Sequence, residues 1–326
     1  MASNPLNLRR IGVLTSGGDA PGMNACIRAV TRRALWHGLE VVGFRHGFCG
    51  LHDSDFEALT LRSVGNIIQR GGTVLGSARC WEFHDQAVRE RSASLCRDSG
   101  VDALVIIGGD GSFYGGNLMH QETGMPVLGV PATIDNDVYG TVYTIGFDTA
   151  VNTALDAIDR IRDTAQSFER IFFIEVMGRL SGHIAVDVGL AGGADDVLIP
   201  ERPTDIEALV QHLREREKES TMVVVSEGKE EGGAFEIARK VSEHLQREYR
   251  VVILGHIQRG GSPSARDRVL ASLLGAEAVD ALMEGYDCHM VGSSAGKMVR
   301  LPIQEAWEGR KEIESRVIDL IRVLAS

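Results

Sequence analysis

The sequence lacks several features that would assign it to a large functional class. No apolar run approaches the roughly 18 residues of a membrane-spanning helix, so no membrane association is predicted. The first ten residues carry two arginines and no apolar segment, so we expect no secretory signal. The five cysteines are scattered, without a Cys-x-x-Cys pair or a Cys/His cluster, which indicates neither a disulfide framework nor a structural zinc site. A reducing cytoplasm is the expected location.

Positive charge is also scarce. There are 34 Lys and Arg residues against 45 Asp and Glu residues, a net charge of -11 at pH 7. A protein that wraps nucleic acid usually has the opposite balance, so we predict no nucleic-acid partner. With 326 residues, the chain is too long for one small core. Because no Pro-rich or Ser-rich linker is present, we expect two domains between which the chain crosses more than once.

Glycine, by contrast, is abundant, with 38 residues. Glycine pairs recur after short apolar runs and before helical patterns. Uninterrupted apolar runs are typical of parallel strands that helices cover on both faces, so the sequence predicts an α/β fold. Asp148 is the predicted N-cap of the clearest helix. The predicted strands are 11–15, 103–107, 126–130, 171–176, 222–225 and 251–254, and the predicted helices are 24–36, 148–165, 203–218, 233–248 and 309–324.

Two glycine-rich turns, Thr15–Gly22 and Gly108–Ser112, each follow a predicted strand. Such turns suit phosphate binding, because glycine lets the backbone approach an anion and a helix N-terminus offers free N–H groups. Neither turn matches the P-loop pattern or the dinucleotide-binding pattern, which disfavours a P-loop NTPase and an ordinary NAD dehydrogenase. A tight strand-to-helix connection is the alternative for each turn.

Aspartates stand at two places that bear on this chemistry. Asp110 lies inside the second turn, where it would repel phosphate unless a cation such as Mg²⁺ lies between them; an Asx-turn residue is the alternative. Asp135 and Asp137 are two residues apart and point the same way if the segment is extended. One can then accept a proton while the other helps to hold a metal, and a surface turn is the alternative.

Four arginines, Arg170, Arg179, Arg250 and Arg259, stand at the starts or ends of predicted strands. Guanidinium groups bind phosphate through two parallel hydrogen bonds, although a lone arginine at a strand end is usually only a surface charge. Together with the turns and the aspartates, the arginines favour phosphoryl transfer, in which positioning and charge neutralisation supply most of the catalysis.

These residues lie in motifs that resemble those of the bacterial ATP-dependent 6-phosphofructokinase family (phosphofructokinase A). The GGDG turn alone is a weak signal, since NAD kinases and lipid kinases carry a similar one, but the full set in this order is very specific. The resemblance covers nearly the whole chain. The motifs are LTSGGDAPGMN at 14–24, RGGTVLGSAR at 70–79, IGGDGS at 107–112, PATIDND at 131–137, YTIGFDTA at 143–150, EVMGR at 175–179 and GHIQRGGSP at 255–263.

The resemblance implies an α/β fold with two similar lobes, each a mostly parallel sheet flanked by helices, and an active site in the cleft between them. The ATP-binding lobe would comprise residues 1–146 and 259–308, and the sugar-phosphate-binding lobe residues 147–258 and 309–326. The resemblance also implies a homo-oligomer, a tetramer of D₂ type. In that tetramer, Arg170 and Arg250 reach the sugar phosphate from the neighbouring subunit.

The activity implied is phosphorylation of fructose 6-phosphate by ATP at the C1 hydroxyl, which gives fructose 1,6-bisphosphate and ADP in glycolysis, with Mg²⁺ as cofactor. Asp135 would be the base, Asp110 and Asp137 would hold the metal, and Gly18, Thr133 and Arg179 would complete the catalytic set. The implied ATP contacts are Gly18, Arg79, Cys80, Gly109, Asp110, Gly111 and Ser112. The implied sugar-phosphate contacts are Thr133, Ile134, Asp135, Arg170, Met177, Gly178, Arg179, Glu227, Arg250, His256, Ile257, Gln258 and Arg259.

The phosphoryl donor depends on two positions. Pyrophosphate-using relatives typically have an aspartate where Gly111 stands and a lysine where Ala132 stands. This chain has neither, so ATP is favoured, although the family's usual residue at 132 is glycine. A pyrophosphate-dependent enzyme is the alternative. Another GGDG-type kinase and a non-catalytic regulatory subunit are the remaining hypotheses; PATIDND and GHIQRGGSP disfavour the first, and the presence of both Asp110 and Asp135 disfavours the second.

Family members also bind a nucleoside diphosphate activator or the inhibitor phosphoenolpyruvate at a second site between subunits. At that site, Asp55 and Glu219 stand where an arginine and a lysine are expected. Each exchange turns attraction for phosphate into repulsion, so we expect a blunted response to both effectors. The residues that match the effector site are Arg28, Arg32, Arg162, Arg216 and Lys218, together with Asp195 in place of a metal-binding glutamate.

Overall fold

The computed structural model describes residues 4–165, 170–215, 220–228 and 232–325, and the chain divides into two compact units. Three separate segments of the chain contribute to each unit. Unit 1 comprises Met1–Thr133, Val138–Asp148 and Arg259–Lys311, and unit 2 comprises Ile134–Asp137, Thr149–Gln258 and Glu312–Ser326.

A seven-stranded sheet in the order β11-β10-β5-β4-β1-β2-β3 forms the centre of unit 1 among the described residues. The inner pairs are parallel, whereas β3 and β11 pair antiparallel with β2 and β10 at the two edges. The register places Thr15 beside Ile107 and Gly108 beside Pro131, so β1, β4 and β5 end at the same edge of the sheet. The strands are β1 (Arg10–Thr15), β2 (Glu40–Phe44), β3 (Phe56–Ala58), β4 (Ala103–Gly108), β5 (Val127–Pro131), β10 (Cys288–Ser294) and β11 (Lys297–Pro302).

Helices pack on this sheet in two groups. Leu104 and Ile106 of β4 share a core cluster with Phe113 of α4, while the alternate residues Val105 and Ile107 are also fully buried, so the strand is covered on both faces. Helix α1 packs against α9, and α4 packs against α3 and α10. The helices are α1 (Met23–Trp36), α2 (Phe48–Asp53), α3 (Gln86–Asp98), α4 (Asp110–Thr123), α9 (Ala265–Met283) and α10 (Glu305–Glu308), with a 3-10 helix at Glu82–His84.

Unit 2 has a smaller sheet in the order β7-β8-β6-β9, and all of its strand pairs are parallel. Phe173 and Val223 of the central strands lie in a core cluster with Leu213 and Ile237 of the covering helices. The elements are α5 (Phe147–Ala165), which begins at the end of unit 1, β6 (Ile171–Val176), α6 (His183–Ala191), β7 (Asp196–Leu198), α7 (Ile206–Arg214), β8 (Thr221–Ser226), α8 (Gly233–Leu245), β9 (Tyr249–Ile253), a 3-10 helix at Gly255–Arg259, and α11 (Ser315–Leu324).

The predicted α/β class with mainly parallel sheets is confirmed. One local expectation is wrong: Asp148 is not the N-cap of α5, because the helix begins one residue earlier, at Phe147. The Asp148 carboxylate instead accepts a hydrogen bond from Ser264 Oγ at 2.6 Å. Across the described ranges, the structure contains no helix that is both long and apolar enough to cross a membrane.

Candidate active site

The turn after β1 is built from backbone that only small residues tolerate. Gly17 has φ of 86° and Gly22, at the start of α1, has φ of 113°. The Thr15 hydroxyl donates to the carbonyl oxygen of Gly76 at 2.8 Å, which ties the end of β1 to the neighbouring loop. Gly17 and Gly18 are exposed, so their backbone faces solvent and is open to a ligand.

The turn after β4 lies directly against the turn after β1. A Cβ atom at Gly108 would come within 2.6 Å of the Ser16 carbonyl oxygen, so this approach requires glycine. Asp110 is the first residue of α4 and is exposed, and its Oδ1 atom accepts a hydrogen bond from the Gly111 N–H at 2.6 Å. The two turns therefore place a helix N-terminus and a carboxylate beside a second glycine-rich backbone.

Gly111 differs from Gly108 in its surroundings. Within the part of the chain that the structure describes, no atom outside its own helix backbone and chain neighbours lies within 4 Å of a Cβ atom placed on Gly111. A larger residue there would meet no obstacle from the protein. Its effect would be felt by whatever ligand occupies the turn.

The loop at 70–79 is fastened to α1 by one side chain, Asn24. Its amide nitrogen donates to the carbonyl oxygens of Arg70 and Gly71, both at 3.1 Å, and its Oδ1 atom accepts from the Val74 N–H at 2.7 Å. Asn24 is almost fully buried. The loop continues to the exposed Arg79, which we predicted to contact ATP. Asn24 belongs to the LTSGGDAPGMN motif, but the motif alone does not indicate this role.

Arg259 lies against the turn after β1. A Cβ atom at Gly18 would collide with its guanidinium group, and its Nη1 atom donates to the Asp19 carbonyl oxygen at 3.3 Å. Unit 1 thus brings together Gly18 and Arg259, residues that we predicted for ATP and for the sugar phosphate, respectively.

The segment after β5 continues the same edge of the sheet. The Ala132 N–H donates to the Gly108 carbonyl oxygen at 2.9 Å, and Ala132 is buried. Thr133 lies 3.8 Å from a Cβ atom placed on Gly109, so it stands beside the turn after β4. The Thr144 hydroxyl fixes the Thr133 carbonyl oxygen at 2.6 Å.

The expectation that Asp135 and Asp137 point the same way in an extended segment is wrong. The chain turns at Ile134 and Asp135, and Asn136 has φ of 53°, in the left-handed region. Asp135 is consequently 5% exposed, whereas Asp137 is exposed. Asn136 tolerates this backbone better than most residues, because its short polar side chain forms local hydrogen bonds.

Ser181 organises the surroundings of Asp135 in unit 2. Its buried hydroxyl donates to the Asp135 carbonyl oxygen at 2.8 Å, while its own carbonyl oxygen accepts from Ser226 Oγ at 3.1 Å. A Cβ atom at Gly178 would collide with the Ser181 carbonyl oxygen, so glycine is required there. The role of Ser181 was not predicted, although Ser181 follows the EVMGR motif after one residue.

The ends of β6 and β8 carry further predicted contacts. Met177 and Gly178 are buried, and Arg179 is exposed with φ of 54°. A Cβ atom at Gly228 would come within 2.8 Å of the Arg179 carbonyl oxygen, so Glu227 and Arg179 stand on adjacent turns.

Gln258 and Ile134 were both predicted as sugar-phosphate contacts, and both side chains are fully buried. Gln258 Oε1 accepts from the Met177 N–H at 2.8 Å, and its amide nitrogen donates to the Ala150 carbonyl oxygen at 3.3 Å. The Gln258 side chain therefore supports the Met177 turn from inside the unit. Its neighbours His256 and Ile257 are exposed.

Arg170 and Arg250 lie at the other end of the same strands. Arg170 precedes β6, and Arg250 pairs in register with Phe172 near the start of that strand. Both contact Glu248: Arg170 Nε lies 2.9 Å and Arg250 Nη2 3.5 Å from its Oε2 atom. Strand β6 has six residues and spans about 20 Å, so these arginines are far from the Met177 turn of their own unit.

The predicted effector residues have varied surroundings. Arg28 and Arg32 lie on α1, and Arg162 on α5 donates to the Gly192 and Gly193 carbonyl oxygens. Asp195 is 4% exposed, and its Oδ2 atom accepts from the Met222 N–H at 2.8 Å. The remaining predicted positions, Arg216, Lys218 and Glu219, lie outside the described residues.

Asp55, which stands where an arginine was expected, is paired. Its Oδ1 atom lies 3.3 Å from Arg45 Nη1, and Glu57 Oε2 lies 3.0 Å from Arg45 Nη2. Two carboxylates thus share one guanidinium group, so this group of three side chains is net negative.

Comparison with known proteins agrees with this architecture. The chain is 56% identical over 321 residues to ATP-dependent 6-phosphofructokinase 1 of Thermus thermophilus, which covers 98% of this chain and 100% of that protein. It is 52% identical to ATP-dependent 6-phosphofructokinase of Bacillus cytotoxicus, with the same coverage of both chains. Phosphofructokinase from Saccharomyces cerevisiae matches in structure with a TM-score of 0.85 at 33% identity, over 91% of this chain and 45% of the yeast chain.

The family model for phosphofructokinase matches residues 10–282, which include both glycine-rich turns, the turn at Asp135 and the arginines at the ends of β6 and β9. The predicted resemblance is confirmed. On this match and on the near full-length identity to its relatives, the chain belongs to the phosphofructokinase family.

Proposed function

We propose that this chain is an ATP-dependent 6-phosphofructokinase, which transfers the terminal phosphoryl group of ATP to the C1 hydroxyl of fructose 6-phosphate. The observation that carries this function is the meeting of two glycine-rich turns at the ends of β1 and β4, with a helix N-terminus and Asp110 beside them. The names of relatives that match over their full lengths support the same reaction.

The nucleotide binds at these turns. Backbone N–H groups at the start of α4 and in the turn after β1 donate to phosphate oxygens, and the helix dipole favours the negative charge. Arg79 extends from the loop that Asn24 holds, and Gly111 leaves space for the phosphates. Arg259, beside Gly18, adds positive charge next to the turn.

Asp110 and Asp137 are the residues that would hold Mg²⁺. Asp110 and Asp137 are exposed carboxylates, and oxygen ligands are those that Mg²⁺ prefers. The Gly111 N–H holds Asp110 Oδ1 at 2.6 Å, which orients the carboxylate at the mouth of the turn. When bound, the ion supplies positive charge that offsets the phosphate charge in the transition state.

Asp135 accepts the proton of the sugar hydroxyl. Its backbone is fixed by Ser181, and it is largely buried, so the carboxylate has little freedom to turn away. Met177, Gly178, Arg179, Glu227 and His256 contact the sugar phosphate from the ends of β6, β8 and β9, while Gln258 keeps the Met177 turn in place.

Arg170 and Arg250 bind the sugar phosphate of a neighbouring subunit in a homotetramer. Their location about one strand length from the Met177 turn supports this assignment, because a single phosphate cannot reach both ends of β6. In the isolated chain, Glu248 holds both guanidinium groups near their position.

A cytoplasmic location accompanies this function. The five cysteines are free thiols, which suits a reducing compartment.

The decisive experiment is a coupled assay for fructose 1,6-bisphosphate with ATP and with pyrophosphate as donors, each with Mg²⁺. We expect turnover with ATP to exceed that with pyrophosphate by orders of magnitude. Faster turnover with pyrophosphate would overturn the donor assignment, and no product with either donor would overturn the reaction.

A further inference from the structure

One group of side chains outside the expected catalytic groups brings together ligand atoms of the kind that bind soft metal ions. Among the described residues, Cys49, Cys80 and Glu82 are the group whose sulfur and carboxylate oxygen atoms all lie within 4.8 Å of one another. Cys49 belongs to α2, whereas Cys80 and Glu82 flank the start of the 3-10 helix at 82–84. The separation along the chain explains why the cysteine spacing gave no sign of a site.

The distance between Cys80 and Glu82 suits a tetrahedral ion. Cys80 Sγ lies 3.7 Å from Glu82 Oε2. A zinc ion with Zn–S of about 2.3 Å and Zn–O of about 2.1 Å at tetrahedral angles separates a sulfur and an oxygen ligand by about 3.6 Å. Binding would therefore require little movement of this pair of side chains.

The two segments that carry the cysteines are fixed against each other by packing. Phe48, next to Cys49, stacks on Phe83, next to Glu82, with ring centroids 4.2 Å apart and planes inclined by 23°. Both rings are buried. The Cys49 thiol also donates to the Arg79 carbonyl oxygen at 3.6 Å, which holds it over the segment that leads to Cys80. Core packing thus holds the backbone of both segments, while the Glu82 side chain is exposed.

The Cys80 thiol carries a proton in the metal-free protein. Burial, together with the hydrogen bond and the proximity of Cys49, raises the pKa of Cys80 to about 12. A metal ion must therefore displace this proton to bind the thiolate.

We propose that Cys49, Cys80 and Glu82 form a binding site for a thiophilic divalent cation such as Zn²⁺ or Co²⁺, with one coordination position left for water. Two thiolates discriminate against Mg²⁺, which prefers oxygen ligands, so the site is distinct from the Mg²⁺ site at Asp110. The proposed function assigns Arg79 and Cys80 to ATP binding. On that assignment, an ion bound to Cys49, Cys80 and Glu82 competes with the nucleotide and inhibits turnover.

The test is a spectroscopic titration of the metal-stripped full chain with Co²⁺, in the presence of a phosphine reductant and excess Mg²⁺. We expect one Co²⁺ per chain, with a thiolate-to-cobalt charge-transfer band and the visible bands of tetrahedral Co²⁺. Cys49→Ser should remove most of the charge-transfer intensity and weaken binding by at least about tenfold.

Cys288→Ser is the matched control, because Cys288 is also a half-buried free thiol but lies beside Asn117, 3.5 Å from its Oδ1 atom. It should leave Co²⁺ binding unchanged, and circular dichroism should show both variants folded. Absence of a charge-transfer band in the unmodified chain would overturn the site, as would full binding by Cys49→Ser.

Turnover under buffered free Zn²⁺, with MgATP below saturation, tests whether the ion competes with the nucleotide, and saturating MgATP should relieve the inhibition. The unmodified chain and Cys288→Ser should lose activity, whereas Cys49→Ser should retain it. Binding of Co²⁺ without inhibition by Zn²⁺ would refute the overlap with the nucleotide. A chain that forms no fructose 1,6-bisphosphate at all would refute the proposed function, while the cobalt titration would still decide the metal site.

Discussion

Asp135 combines a largely buried side chain with a backbone carbonyl group that Ser181 holds. We predict that Asp135→Asn, which keeps the shape and removes the basic oxygen, lowers kcat by about 10²- to 10⁴-fold. Binding of fructose 6-phosphate, measured by calorimetry without ATP, should change far less, because the residue acts mainly in the transition state. A variant with kcat within a few fold of the unmodified enzyme would exclude Asp135 as the base.

Gly111 allows the charge of a donor site to be changed without disturbing the fold. A Cβ atom there meets open space, and an acidic residue in the first turn of α4 suits the helix dipole, so Gly111→Asp should leave Tm unchanged. We expect KM for ATP to rise by at least about tenfold, or ~1.4 kcal/mol, through repulsion of the phosphates. Gly111→Asn, of equal size without the charge, is the control. Equal KM values for the two variants would show that bulk and not charge is decisive.

For individual residues, the sequence predicts exposed ligand-binding side chains better than buried side chains that hold the backbone in place. Asp110 stands in the glycine-rich turn and at the start of a helix, as its motif indicates. The structural roles of Asn24 and Ser181 were not predicted. Both side chains form hydrogen bonds to segments far along the chain, and no local sequence pattern indicates such bonds. Gln258 lies in a motif, but its side chain is buried and bonds to the Met177 N–H. A motif does not indicate whether a side chain faces the ligand or the interior.

Among the elements, α3 and α4 are joined by a buried ion pair. Arg89 donates to Glu122 and, through Nη1, to the carbonyl oxygens of Phe83 and His84, both at 2.8 Å. Arg89→Met leaves a largely buried carboxylate and two carbonyl groups without these partners, so we predict a loss of about 3 kcal/mol in the free energy of unfolding, measured in urea.

An exposed ion-pair network on α8 is the control for the buried Arg89–Glu122 pair. Arg239 on α8 contacts Glu236 and Glu243 at the surface, where water screens the charges. Arg239→Met should barely shift the unfolding midpoint. Similar shifts for the two variants would mean that burial does not set the strength of the Arg89 pair.

The predicted strands at 11–15, 103–107, 126–130, 171–176, 222–225 and 251–254 all correspond to strands of the structure, because buried parallel strands are uninterrupted apolar runs. Five strands were not predicted: β2, β3, β7, β10 and β11. Strands β3 and β11 are partly exposed edge strands that carry polar residues, and β3 and β7 have only three residues each. Helix α9 was also missed. Its apolar residues lie on several sides, because Val269 and Leu273 are exposed while Leu274 and Leu282 are buried, so it lacks the one-sided pattern that marks a surface helix.

For the molecule as a whole, the family was predictable from the motifs and the assembly was not. The assignment of two lobes to ATP and to the sugar phosphate stays a prediction, as does the tetramer. A hybrid experiment tests shared sites: Asp135→Asn and Arg250→Ala chains are nearly inactive alone, but coexpression should recover about a quarter of unmodified activity, since random pairing makes that share of sites intact. No gain over the separate variants, or full activity of a monomer by light scattering, would contradict shared sites.

Regulation is a second property of the assembly. Arg45 is already paired with Asp55 and Glu57, so these three side chains together carry net negative charge that repels an anionic effector. We predict weak responses to ADP and phosphoenolpyruvate at sub-saturating fructose 6-phosphate. Asp55→Asn, which frees part of the Arg45 charge, should strengthen both responses. A steep shift of the unmodified enzyme at micromolar effector would disprove the prediction.

The division of each unit among three chain segments has a consequence during synthesis. Strand β5 receives its neighbour β10 only when residues 288–294 have left the ribosome, and unit 2 receives α11 only with residues 315–324. Until then, the apolar edge at Val127 and Leu128 is open to pairing with another nascent chain. The yield of folded protein therefore depends on the time between the synthesis of β5 and the synthesis of β10. Slower translation lengthens that time.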